Sequence, residues 1–85
     1  MKMAEQIGDL DAVITNLGEV KDDIAVPRNV RTKIDSIIGT LRADIELSIR
    51  INKTLNDLDE ISNDVNLQPY TRTQIWSAIS LLEKI

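Results

Sequence analysis

The chain has 85 residues, a net charge of −4, no cysteine and no histidine. That excludes disulfide stapling, thiolate or imidazole metal sites, and catalysis by thiol or histidine. Thirteen isoleucines and nine leucines, against one tryptophan, one tyrosine and no phenylalanine, predict one small domain held by aliphatic packing.

The first element is a helix over about residues 3–22, where Met3, Ile7, Leu10, Ile14, Leu17 and Val20 recur at steps of three and four. Asp22-Asp23-Ile24-Ala25-Val26-Pro27 then breaks the pattern, with Pro27 suited to the first turn of the next helix. Val30, Ile34, Ile37, Ile38 and Leu41 give that second helix one apolar face. Gly39 and Arg42-Ala43-Asp44 mark the join to the second half, and Asp44 is expected to cap the third helix. Leu47, Ile51, Leu55, Leu58 and Ile61 define the third helix. Ile75, Ala78, Ile79 and Leu82 define the fourth, with Pro69 at or near its start. Period-two alternation never runs long enough to predict a strand.

The halves repeat at an offset of 41. Leu17, Glu19, Asp23, Arg31, Thr32, Ile34, Ser36, Ile38 and Leu41 fall on Leu58, Glu60, Asp64, Arg72, Thr73, Ile75, Ser77, Ile79 and Leu82. Such a repeat predicts an all-α fold, an up-and-down four-helix bundle made of two duplicated αα-hairpins spanning about 3–41 and 44–82 of a single domain, 1–85. Two units are too few for a HEAT-like solenoid.

Glu19 and Arg31 lie equally far from Ala25, and Glu60 and Arg72 equally far from Asn66. Each hairpin is therefore expected to clasp itself with an ion pair, or else to present those charges to a ligand. Trp76 stands out because its counterpart is Asp35 and it lies beside the apolar stripe. It either widens the core seam or, with Tyr70 and Arg72 near it, anchors a protein partner or a second copy.

The acidic run Asp57, Asp59, Glu60, Asn63, Asp64, Asn66 lacks the glycine and ligand spacing of a calcium loop. Gly8, Gly18 and Gly39 are isolated and form no phosphate loop. Neither a metal nor a cofactor is expected, and no base stands beside any serine or threonine for nucleophilic catalysis. The acidic balance argues against a dedicated nucleic-acid binder. Residues 21–42 carry a local +2, however, so Arg28, Arg31, Lys33 and Arg42 are a candidate patch for an anionic partner, RNA included. Apolar runs of two to three residues cannot span a membrane, and Met1-Lys2-Met3-Ala4-Glu5-Gln6 has no signal-peptide core, so the cytoplasm is expected.

Leu58-Asp59-Glu60-Ile61-Ser62-Asn63-Asp64, Asn66, Tyr70, Arg72-Thr73, Ile75-Trp76 and Leu82-Glu83, together with Val26-Pro27-Arg28-Asn29-Val30-Arg31, resemble a small family of uncharacterised archaeal proteins. The resemblance covers nearly the whole chain and implies an archaeal cytoplasmic protein with an up-and-down helical bundle. It implies no activity. The residues alone favour a non-catalytic protein–protein interaction module that forms a homodimer through the fourth-helix flank, with a weak RNA- or ribosome-associated protein as the alternative.

Overall fold

A computed structural model describes the backbone of residues 2–85 and the side chains from residue 8 onward. The stripe positions Met3 and Ile7, and the opening Met1–Gln6 segment, lie outside the described side chains. Four helices follow one another: α1 (Lys2–Asp22), α2 (Arg28–Arg42), α3 (Leu47–Ser62) and α4 (Pro69–Glu83). The described residues contain no strand. Each helix packs against two others, α1 against α2 and α4, and α3 against α2 and α4. The molecule measures 39 × 20 × 20 Å, so the helices run along its length.

One cluster of buried side chains draws on all four helices and on both turns that follow α1 and α3. Six apolar pairs 41 apart are buried alike, although Ile38 is buried and Ile79 only half-buried. Leu17 and Leu58, Val20 and Ile61, Val26 and Leu67, Ile34 and Ile75, Ile37 and Ala78, and Leu41 and Leu82 are buried in both halves. At two further pairs a buried valine faces a buried threonine across the offset: Val13 with Thr54, and Val30 with Thr71.

The expected stripes hold in the second parts of α1 and α3, where Leu17, Val20, Leu58 and Ile61 are buried, but before them the core line shifts by one position to Val13 and Thr54. Val13, Leu17 and Val20 are inaccessible in α1, while Leu10 and Ile14 are only partly covered. In α3 the centre runs through Thr54, Leu58 and Ile61, with Ile51 and Leu55 at its edges and Leu47 half-exposed. A helix wedged between two neighbours buries the positions that point between them most deeply, so a wide apolar face reaches beyond its own core line.

The turns after α1 and α3 use the same chemistry. The backbone N–H of Ala25 donates to Asp23 Oδ1 at 2.9 Å, and that of Asn66 donates to Asp64 Oδ1 at 2.8 Å. The N–H of Val26 donates to Asp23 O, and that of Leu67 to Asp64 O. These aspartate turns fold Val26 and Leu67 back into the core. Pro27 occupies the N-cap of α2, one residue before the helical turn the sequence suggested, whereas Pro69 opens α4 as its first helical residue.

The join between the halves departs from expectation. The residue preceding α3 is Glu46, it makes no side-chain capping bond, and Asp44 is exposed and does not cap the helix. An N-cap side chain reaches only the two or three N–H groups that immediately follow it, and Asp44 lies two residues too early. Arg50 holds the join instead, donating from Nη1 to Leu41 O at 2.9 Å. It thereby satisfies a carbonyl that the end of α2 leaves free.

Candidate functional site

The hairpin charges do not pair as the sequence suggested. Glu19 and Glu60 are exposed, and neither forms an ion pair with Arg31 or Arg72. The ion pairs present among the described residues are Lys21–Asp35 at 3.4 Å and Lys53–Asp57 at 3.5 Å. Both arginines donate to backbone. Arg31 Nε bonds Val26 O at 3.1 Å. Arg72 donates from Nε to Ser62 O at 3.0 Å and from Nη2 to Asp64 O at 2.9 Å. Carbonyls at a helix end and in the following turn lack helical partners, and a half-buried guanidinium is a fork of donors that satisfies them without desolvating a carboxylate. The clasp exists, then, but its acceptors are main-chain oxygens.

Arg72 is consequently committed to the α3–α4 turn. Tyr70 and Trp76 are exposed at 68% and 54%. With Thr73 between them they form a row at steps of three, one of the natural ridges of a helix surface. Thr73 is also exposed, and the row runs on into half-buried Ile79. The expected partner surface is thus a ridge of α4 with two aromatic rings, and Arg72 supports the turn beside it.

The four basic residues expected to form a patch for an anionic partner are dispersed. Arg28 and Arg31 line an open surface depression of about 350 Å³ together with Lys21, Thr32 and Asp35. Lys33 lines a separate groove of about 120 Å³, with Ser36 and Ile37 on α2 and Asp57 and Glu60 on α3. Arg42 closes the far end of α2, about 21 Å from Arg28 at 1.5 Å per residue. Lys21 belongs to the cluster from a different helix. The sequence counted it in the local +2 of residues 21–42 but gave no sign that it would join Arg28 and Arg31 from the preceding helix.

Elsewhere among the described residues, no group of three or more aspartate or glutamate side chains is placed to hold a metal ion. No helix is long and apolar enough to cross a membrane.

Comparison with known proteins then decides the family. A profile described as "Uncharacterised protein family (UPF0147)" matches residues 1–85. The chain belongs to the UPF0147 family. It is 40% identical over 85 residues to a UPF0147 protein of Methanocaldococcus jannaschii, covering 99% of this chain and 89% of that one. It is 37% identical over 76 residues to the Archaeoglobus fulgidus UPF0147 protein, covering 89% and 87%. Two solved structures share the fold. A UPF0147 protein from Thermoplasma acidophilum superposes with a TM-score of 0.89 at 32% identity, over 93% of this chain and 94% of that one. The protein of unknown function MMP1188 gives 0.84 at 38% identity, over 91% and 89%. These UPF0147 relatives span several archaeal species, and the family's function is unknown.

Proposed function

We propose that this UPF0147 protein is a cytoplasmic, non-catalytic protein–protein interaction module that uses the α4 ridge, with a second copy of itself as one partner. The observation that carries this reading is the placement of the aromatics. The chain has only Tyr70 and Trp76, and both stand exposed on one ridge of α4 while aliphatic side chains make up the core. Large aromatic rings gain most from burial against a partner and are enriched at the centres of interfaces. The absence of histidine and cysteine, and the lack of a base beside any hydroxyl nucleophile, support a non-catalytic role.

The scaffold we infer is a closed up-and-down bundle of two duplicated αα-hairpins. Matched burial at an offset of 41, matching aspartate turns, and packing of α1 on both α2 and α4 support that arrangement. A rigid bundle would present the ridge with little cost in ordering it on association.

Sedimentation equilibrium from micromolar to near-millimolar concentration, with Trp76 emission followed in parallel, tests the reading. The native chain is expected to associate with a blue shift of its emission, and Trp76→Ala, which removes the only tryptophan, is expected to sediment as a monomer. The same oligomeric state and partner capture in native protein and in the Tyr70→Ala/Trp76→Ala double variant would overturn it.

A further inference from the structure

The open depression between α1 and α2 gathers cations without enough acceptors to satisfy them. Lys21, Arg28 and Arg31 line it, and Asp35 is its single carboxylate, giving three positive charges against one negative. Asp35 is already bonded by Lys21 Nζ at 3.4 Å. The Thr32 hydroxyl donates to Arg28 O at 3.0 Å. Arg31 uses Nε on Val26 O, and its terminal Nη groups have no acceptor among the described residues. The exposed Arg28 side chain makes neither a hydrogen bond nor an ion pair among the described residues. All this occurs in a chain whose net charge is −4.

These arginines also work against their own helix. Arg28 and Arg31 sit in the first turn of α2, which carries no acidic residue. The positive end of a helix disfavours cations, so both side chains are kept there at some cost to α2.

The other half of the molecule is an internal control. The positions 41 residues on from the depression's lining are Ser62, Pro69, Arg72, Thr73 and Trp76. There, serine replaces Lys21, proline replaces Arg28 and tryptophan replaces Asp35, while Arg72 turns Nη2 onto Asp64 O. An equivalent hairpin therefore closes without the cationic cluster. The cluster is not what the fold requires.

We propose that the α1–α2 depression binds a phosphoryl group at the surface, held by Arg28 and the free Nη groups of Arg31, with Lys21 supplying further positive charge. A guanidinium pairs two parallel N–H donors with two oxygens of a tetrahedral oxyanion, and two such forks in one depression suit a phosphate ester better than a single carboxylate. The site is independent of the α4 ridge, so Trp76→Ala leaves it intact.

Amide-shift titration of the labelled protein with inorganic phosphate, uridine 5′-monophosphate and a short oligouridylate tests the proposal. Saturable shifts confined to residues 21–35, weakening as salt is added, are expected for one or more of these probes. Tighter binding of the oligomer than of the mononucleotide identifies a nucleic-acid strand as the source of the phosphoryl group, and equal binding identifies a free ester. Arg28→Gln should weaken binding about tenfold or more, since a charged hydrogen bond is lost, while its melting temperature stays level or rises. Arg42→Gln, with the same change of charge at the far end of α2, should keep the binding and melt slightly lower. Absence of saturable shifts with all three probes would overturn the site. So would equal losses in Arg28→Gln and Arg42→Gln, which would assign the effect to overall charge.

Discussion

Thr54 stands where the first half has Val13, and both are fully buried. The Thr54 hydroxyl has no hydrogen-bond partner among the described residues. A buried, unpartnered hydroxyl keeps its desolvation cost without the compensating bond, whereas an apolar group of the same shape has nothing to leave unsatisfied. Thr54→Val should therefore stabilise the chain by about 1 kcal/mol, which for a domain of this size raises the melting temperature by roughly 4–8 °C. A calorimetric scan showing an unchanged or lower transition would mean that the hydroxyl has found a partner. The arginines allow a second test at the same scale. Arg72 makes two backbone bonds and Arg31 one. Arg72→Ala should leave the fold intact and cost about 1–2 kcal/mol, and Arg31→Ala less, while Glu19→Ala and Glu60→Ala leave the transition where it is. Equal losses from the glutamate and arginine variants would restore the ion-pair clasp that the geometry rejects.

At the scale of elements, what sequence made legible was what periodicity and punctuation encode. Four helices, their order and the two aspartate-bearing turns follow from apolar spacing and from Pro27 and Pro69. The details that escaped depend on what a helix is packed against. The core line of α3 runs through Thr54 because two neighbouring helices converge there, and a threonine carries no apolar signal. Arg50 was unremarkable in the sequence because its acceptor, Leu41 O, becomes a neighbour only when the α2–α3 join folds. Arg31 and Arg72 were correctly placed near the turns, but the identity of their acceptors depended on free carbonyls that residue types do not reveal. Of the candidate surfaces, the pairing of Trp76 with Asp35 marked Trp76 as unusual but left open whether it widened the core seam or stood exposed, and it stands exposed with Tyr70. The expected basic patch comprised Arg28, Arg31, Lys33 and Arg42, of which only Arg28 and Arg31 share one depression, because Lys33 and Arg42 are close to them in sequence yet face different surroundings. The turns themselves can be tested. Asp64→Ala removes the acceptor for the Asn66 N–H and should cost about 0.5–1.5 kcal/mol, whereas Asp64→Asn keeps an acceptor oxygen and should be nearly neutral. If both variants melted alike, the aspartate turn would not be what shapes this connection.

For the molecule as a whole, the decisive question is whether either half can stand alone. The buried cluster takes side chains from α1 and α2 and from α3 and α4 without a division between them. A lone α1–α2 hairpin would leave Val13, Leu17, Ile34 and Ile37 facing water along one side. Helices of about 15–20 residues are marginal in water without tertiary packing, and a single hairpin of roughly 40 residues falls below the size at which a core usually holds without staples. Peptides 1–43 and 44–85 should therefore each show weak helicity and no cooperative melting. Mixed in equal amounts, they should regain the far-ultraviolet spectrum of the intact chain and a transition that depends on concentration, because each supplies the apolar face that the other lacks. The tie from Arg50 to Leu41 O crosses the cut and would re-form as an intermolecular bond, so Arg50→Ala should weaken the reassembled pair more than it weakens the continuous chain. Cooperative folding of either peptide alone would show that the two hairpins hold separate cores, and the proposed closed bundle would then be wrong.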